Sequence, residues 1–280
     1  MPDHRSLAMA GSPEPLGRLR ELPRARGFDA LRRYRHLLPW VYGTVLTLAE
    51  LLVAFMKVQA GMYLHIGLLL ALLAQATLAH GSREYPLYLT LTLAPLIRIL
   101  SLSMPLAGFP LVYWYLLTGL PLFAGASVAA YLAGLSLRDC GFRPGSIYQL
   151  PVALTGLPLG LAEYLILRPQ PLVPELTWAD LLLPALILLV FTGFVEELIF
   201  RGILQAAARR AMGDTRGLYF VAFIFAVLHI THLSALDVFF VFGVALFFGR
   251  VVSRENSLLG VTLAHGLTNI SLYLVWPHLL

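Results

Sequence analysis

Two adjacent glutamates inside an apolar stretch are the residues best suited to chemistry in this sequence. The segment FTGFVEELIFRG places Glu196 and Glu197 side by side, and Arg201 follows. Glu197 and Arg201 have the i, i+4 spacing, acid first, that favours an ion pair on one helix. Glu196 lies about 100° further round the helix and is left to face another partner. Alternatively, both glutamates only end the helix among nearby arginines.

Two later apolar stretches carry histidines. LYFVAFIFAVLHITH contains His229, with Phe225 one helical turn before it, and LLGVTLAHGLTNISLYL contains His265 and Asn269 at i, i+4. Taken singly, each of these polar residues is also typical of a hydrogen bond between membrane helices. Their occurrence in neighbouring apolar segments predicts that Glu196, both histidines and Asn269 line one water-accessible cavity. A carboxylate there can act as the general base that activates water for hydrolysis.

Membrane-spanning helices must position these residues. Of the 280 residues, 59% are hydrophobic and 12% are charged, whereas a soluble domain has about 25% charged residues. A span needs roughly 20 apolar residues. The sequence therefore predicts an all-α, polytopic transmembrane helical bundle of about nine helices. On the span-length rule we place them at about residues 38–58, 61–80, 86–104, 111–133, 149–168, 180–200, 218–234, 236–252 and 257–276.

The positive charges predict the orientation of the bundle. With the N-terminus in the cytoplasm, 17 of the 20 Lys and Arg residues fall on cytoplasmic segments, eight of them in residues 1–36. Such a bias sets the topology of membrane helices. Because the positive residues lie between hydrophobic spans, the net charge of +5 is explained by membrane orientation, and we expect no nucleic-acid partner. The single cysteine, Cys140, excludes an intrachain disulfide. We expect a multi-pass integral membrane protein whose partner is the lipid bilayer, in a bacterial inner (plasma) membrane.

The chain divides into three predicted parts. Residues 1–36 are a basic cytoplasmic tail, residues 37–134 are accessory transmembrane helices, and residues 135–280 are the catalytic transmembrane core. In the earlier spans, Glu50 and Arg98 are expected to form an interhelical pair, and Glu163 to have a structural role or to reach Arg168. At 1.5 Å per residue, Glu196 and His265 lie roughly 6–12 Å from the cytoplasmic side and His229 nearer 18 Å. Helix tilt or a later start of the seventh span would reconcile these depths.

The three polar segments resemble the motifs of the CPBP family of intramembrane proteases (CAAX proteases and bacteriocin-processing enzymes, also called Abi). The two-glutamate motif is similar to Glu196-Glu197-Leu-Ile-Phe-Arg201, the Phe-x-x-x-His motif to Phe225–His229, and the His-x-x-x-Asn motif to His265–Asn269. All three occur in the family's order, each in a hydrophobic segment. The resemblance covers about residues 135–276.

The resemblance implies an intramembrane CAAX-type endopeptidase. It implies that Glu196 activates the water, that His229 orients it, and that His265 and Asn269 stabilise the oxyanion. Glu197, paired with Arg201, would stiffen the site and position Glu196.

A metalloprotease mechanism is the alternative, with zinc held by Glu196, His229 and His265. The sequence lacks HExxH, the helical zinc-protease motif, and we favour a reaction that uses no metal and no other cofactor.

The expected substrate is a membrane-embedded or lipidated protein. A prenylated protein, a bacteriocin precursor and a protein with a C-terminal sorting tag all fit this description. The competing hypothesis is a non-enzymatic membrane protein, such as a transporter, an immunity protein or a scaffold, because intramembrane Glu and His residues also mark ion pathways.

Overall fold

The computed structural model describes residues 37–55 and 57–280, and the predicted basic tail lies outside this range. The described residues form helices without strands. Eight of the helices are long and apolar enough to cross a membrane, and one 17-residue apolar helix is shorter. We number them α1 Leu38–Ala54, α2 Val58–Leu78, α3 Tyr85–Ser103, α4 Leu111–Leu132, α5 Gln149–Leu167, α6 Trp178–Met212, α7 Asp214–His232, α8 Ala235–Glu255 and α9 Leu259–Leu279. The predicted all-α bundle of about nine helices is confirmed.

The boundaries of α6 and α7 differ from the prediction. Helix α6 continues to Met212 instead of ending near residue 200, and α7 begins at Asp214, before the predicted start. A later start of the seventh span, one of the two ways offered to reconcile the depths, is therefore not observed. The longer α6 brings Glu196 and His229 to similar depths, because they lie roughly 24 and 22 Å along their helices from the turn that joins α6 to α7.

Two π-helical turns flank the glutamate pair in α6. They span Leu188–Phe194 and Leu198–Leu204, and the α-helical turn Val195–Glu197 lies between them. A π-turn inserts an extra residue into the helical repeat, rotates the side chains that follow, and is frequent at functional sites. Because such a turn occurs on each side, the directions in which Glu196 and Glu197 point depend on both irregularities.

Glycines let α6 and α9 pack backbone against backbone. A Cβ atom added at Gly193 would lie 2.9 Å from the backbone nitrogen of Gly266, and one added at Gly266 would lie 3.1 Å from the Cα of Leu189. Small residues allow this close approach between membrane helices. The crossing lies one helical turn from Glu196 and Glu197 on α6 and directly beside His265 on α9. It therefore sets the distance between two of the predicted motifs.

Arginines from separate loops meet at one end of the bundle. Arg138 and Arg143 of the α4–α5 loop share a depression with Arg209 and Arg210 near the end of α6. Arg210 pairs with Asp139 at 2.5 Å, and Arg83 of the α2–α3 loop donates a hydrogen bond to the carbonyl of Arg210. This is the end of the bundle that the charge bias predicts to be cytoplasmic.

Candidate active site

A cavity of about 120 Å³, lined by both polar and apolar side chains, lies among α4–α9. It has room for several water molecules. The structure brings all six predicted site residues together on its wall. The lining includes Glu196, Glu197, Arg201, His229, His265 and Asn269, together with Tyr115, Glu163, Thr192, His232 and Tyr273. Most of these polar groups lie inside helices that are apolar enough to span a bilayer, where an ionisable residue is costly and indicates a functional site.

Glu197 joins α6 to α9. Its side chain is fully buried, and its Oε1 atom lies 3.0 Å from Arg201 Nη1 and 2.8 Å from His265 Nδ1. The contact with Arg201 is the i, i+4 ion pair that the sequence predicts. The contact with His265 was not predicted, and it fixes that ring. Because an ionised carboxylate only accepts hydrogen bonds, Nδ1 carries the proton and Nε2 points away from Glu197.

Glu196 faces the cavity beside that free nitrogen. Its Oε2 atom lies 3.9 Å from His265 Nε2, and its side chain is 32% exposed, in contrast to the buried Glu197. The two adjacent glutamates therefore occupy different environments: one is held by two cationic or donor groups, and the other is open to water. Such an open carboxylate is free to accept a proton from a molecule in the cavity.

Phe225 is the packing centre of the second motif. The guanidinium carbon of Arg201 lies 4.1 Å from the centroid of its ring, in a cation–π arrangement. The rings of His229 and His265 lie 4.8 and 6.2 Å from the Phe225 ring, centroid to centroid. His229 Nδ1 is 2.9 Å from the carbonyl oxygen of Phe225, which must accept the hydrogen bond. The Nε2 atom of His229 is therefore available to a cavity water.

Asn269 is held by a threonine of α6. Its Nδ2 atom donates a 2.8 Å hydrogen bond to Thr192 Oγ1, and the Thr192 hydroxyl donates to the carbonyl of Leu188 one turn earlier. A carboxamide nitrogen has two hydrogens, so one N–H of Asn269 is left for a ligand. The sequence did not identify Thr192 as a site residue, because threonine is a common residue in membrane helices.

The cavity also contains ionisable residues that the sequence analysis did not assign to the site. Glu163 of α5 lines it instead of pairing with Arg168. His232 lines it as well, and its Nδ1 atom lies 2.8 Å from Oδ2 of the fully buried Asp237. The second histidine of the HITH stretch was the sequence feature that could have identified His232 as a site residue. The His232–Asp237 contact depends on the turn between α7 and α8, which a motif does not specify.

The zinc alternative would need at least three ligands that converge on one point. Within residues 37–55 and 57–280, no three His, Cys, Asp or Glu side chains converge as metal ligands. Glu196, His229 and His265 share the cavity but do not form such a group.

The fold and the cavity thus define the class of this protein: it is a multi-pass membrane protein with a buried, water-accessible cluster of carboxylates and histidines. Residues 178–271 match a family model described as type II CAAX prenyl endopeptidase Rce1-like. All three motifs lie in the matched segment, and their predicted resemblance to CAAX proteases is confirmed there. The match supports intramembrane endopeptidase activity. No curated protein and no solved structure matches the chain.

Proposed function

We propose that this protein is an intramembrane endopeptidase that cleaves a membrane-anchored or lipidated protein by means of a glutamate-activated water. The observation that carries the proposal is the approach of Glu196 Oε2 to His265 Nε2, 3.9 Å apart, in a cavity that His229 and Asn269 also line. The family match over residues 178–271 supports the same activity.

Glu196 is the proposed general base. Peptide hydrolysis needs a group that removes a proton from water as the water attacks the carbonyl carbon. The Glu196 carboxylate is the open member of the glutamate pair, and His229 offers an Nε2 lone pair to the same cavity. A water that donates one hydrogen to each of them is oriented for attack. After the attack, the proton on Glu196 is available to the leaving amine.

His265 and Asn269 are the proposed donors to the oxyanion. The free N–H of Asn269 can donate directly. His265 donates from Nε2 when its ring is protonated, and the Glu197 carboxylate at Nδ1 stabilises that charge. Preorganised donors in a site shielded from water contribute strongly to acyl-transfer catalysis, about 10²–10³ in kcat for a single donor. Glu197 then acts chiefly on His265, and only through it on Glu196.

A prenylated protein is the proposed substrate class, because the matched family model is named for a prenyl endopeptidase. The decisive experiment uses the full chain in liposomes with an internally quenched peptide that carries a prenylated cysteine near its C-terminus. The same peptide without the prenyl group, a bacteriocin precursor and a sorting-tagged protein are run in parallel. Faster cleavage of the prenylated peptide supports this substrate class, and preference for another peptide contradicts it.

Substitutions test the chemistry in the same assay. Glu196→Gln and His265→Ala are expected to abolish cleavage while the protein still inserts and folds. Glu175→Gln and His80→Ala are matched controls, because both residues are exposed away from the cavity, and they should cleave like the wild type. Cleavage that survives Glu196→Gln would refute the proposed base. Loss of cleavage with a chelator, or zinc bound stoichiometrically to the active protein, would refute the metal-free mechanism.

A further inference from the structure

Arg98 connects the N-terminal helices to the turn that carries His229. It lies in α3, outside the segment that matches the family model. Its Nε donates a 3.0 Å hydrogen bond to Oε1 of Glu50 in α1, and its Nη2 lies 2.8 Å from Oε2 of the same carboxylate as an ion-pair contact without a hydrogen bond. The same Nη2 also donates to the carbonyl oxygen of Leu228 at 2.8 Å and to Thr231 Oγ1 at 3.1 Å. These two acceptors flank His229 in the sequence.

The anchor of Arg98 is rigid. Glu50 is fully buried, and its Oε1 atom lies 3.4 Å from Nε2 of His65, a fully buried residue of α2. The Arg98 side chain is only 14% exposed. Three helices therefore meet at one carboxylate, which holds the planar guanidinium in a single orientation. An ion pair that only joined helices would need the contacts between Arg98 and Glu50 alone. The additional contacts of Arg98 with Leu228 and Thr231 therefore indicate a further role.

The turn after α7 needs such a donor. The regular part of α7 ends at Val227, and a single 3₁₀ turn, Ile230–His232, follows before Leu233 takes a left-handed conformation with φ of 58°. The last carbonyls of a helix have no partner within it. Arg98 supplies a partner to Leu228, directly before His229, and fixes Thr231, directly before His232. Arg98 thereby fixes the residues that directly precede the two cavity histidines, His229 and His232.

We propose that Arg98, held by Glu50, is a positioning residue that sets the orientation of His229. The N-terminal helices then have a defined role, because they shape the wall of the cavity that the matched segment alone does not complete. The catalytic part of this inference rests on the proposed protease function. The claim that Arg98 orders the turn does not.

The test separates positioning from simple bundle stability. Arg98→Lys keeps a charge opposite Glu50, but an ammonium cannot reproduce the planar fork that reaches both Glu50 and the turn. Thr231→Val keeps the whole ion pair and removes one contact. Arg168→Lys, at an exposed arginine outside the cavity, is the matched control. We measure kcat and KM, the unfolding temperature, and deuterium exchange of the backbone amides of residues 228–234.

The expected result is an unfolding temperature near the wild-type value in both variants, with faster exchange in residues 228–234. In Arg98→Lys we expect kcat to fall about 10–100-fold with a smaller change in KM, since displacement of a site group by about 1 Å can cost 10²-fold. Thr231→Val should lie between Arg98→Lys and the wild type. Arg168→Lys should change none of these values.

Two outcomes would overturn the inference. One is wild-type exchange in residues 228–234 of Arg98→Lys, because the turn would then be ordered without the arginine fork. The other is faster exchange with an unchanged kcat, because the turn would then not govern His229. If the wild-type protein cleaves no substrate, the proposed protease function fails, and the exchange measurement still decides whether Arg98 orders the turn.

Discussion

His265 and Glu197 lie 68 residues apart in the sequence and meet through a 2.8 Å contact between Nδ1 and Oε1. The same oxygen accepts a hydrogen bond from Arg201 at 3.0 Å. One buried carboxylate therefore neutralises an arginine on its own helix and orients an imidazole on another. Glu196 has neither of these two contacts, because Glu197 pairs with both Arg201 and His265.

Replacement of Glu197 should affect the action of His265 in catalysis more than the binding of substrate. In Glu197→Gln, the amide oxygen can still accept a hydrogen bond from His265, but the negative charge that stabilises the protonated ring is lost. We expect kcat to fall about 10²-fold, the lower end of the range for acid–base contributions, with a smaller change in KM. Steady-state cleavage of the prenylated peptide measures both constants.

Glu175→Gln, on an exposed loop before α6, is the charge-matched control and should match the wild type. Glu197→Ala removes the partner of the buried Arg201, so the free energy of unfolding should drop by about 3–5 kcal/mol. Wild-type kcat in Glu197→Gln would show that His265 needs no charge behind it.

Much of this site follows from the sequence because its elements are local. The Glu197–Arg201 pair is set by helical spacing, and the nine hydrophobic segments are set by composition. The Glu50–Arg98 pair was expected because two opposite charges inside apolar spans need partners. The extra contacts of Arg98 with the α7–α8 turn were not expected, since hydrogen bonds to backbone carbonyls leave no mark on residue types.

The contact between His265 and Glu197 could not be predicted for a different reason. It depends on the crossing of α6 and α9 at Gly193 and Gly266, and on the π-turns that rotate Glu196 and Glu197. Glycine is common in membrane helices, so neither glycine is distinguished in the sequence. A π-turn is a tertiary adjustment that helical periodicity does not show.

The glycine crossing gives a packing prediction. In Gly193→Ala, the new methyl group would meet the backbone of Gly266, so the two helices must move apart. We expect the free energy of unfolding to fall by about 1–3 kcal/mol, as for other overpacked sites. Activity should fall further than stability explains, because Glu197 and His265 separate. Thermal unfolding and cleavage are measured on the same preparation.

Gly67→Ala is the matched control for this substitution. A Cβ atom at Gly67, in the middle of α2, would meet nothing within 4 Å. Alanine is the better helix former, so this variant should be at least as stable as the wild type and equally active. Equal behaviour of the two alanine variants would mean that the crossing does not set the geometry of the site.

His232 and Asp237 should behave as one unit. Asp237 is fully buried, and its carboxylate holds the His232 ring at 2.8 Å with Nε2 left over. If the ring acts in the cavity, His232→Asn and Asp237→Asn should each slow cleavage, and the double variant should be little worse than either. A double-mutant cycle should give a coupling free energy of about 0.5–3 kcal/mol. Additive losses, or no loss in His232→Asn, would remove this pair from the working part of the cavity.

Cys140, in the loop between α4 and α5, provides a measurement for all of these variants. It is the single cysteine of the chain, and burial, assisted by the charge of Asp139, raises its pKa from 9.0 to about 11. The thiolate is the reactive form, so this higher pKa lowers its population about a hundredfold at pH 8. Labelling of the folded protein by a maleimide should be at least that much slower than labelling of a free thiol, and it should speed up as pH rises towards 11. Unfolding returns the pKa of the thiol to its usual value and exposes it to the reagent, so a sharp increase in labelling on heating reports the unfolding temperature. Fast labelling of the native protein at pH 8 would contradict the burial of this residue.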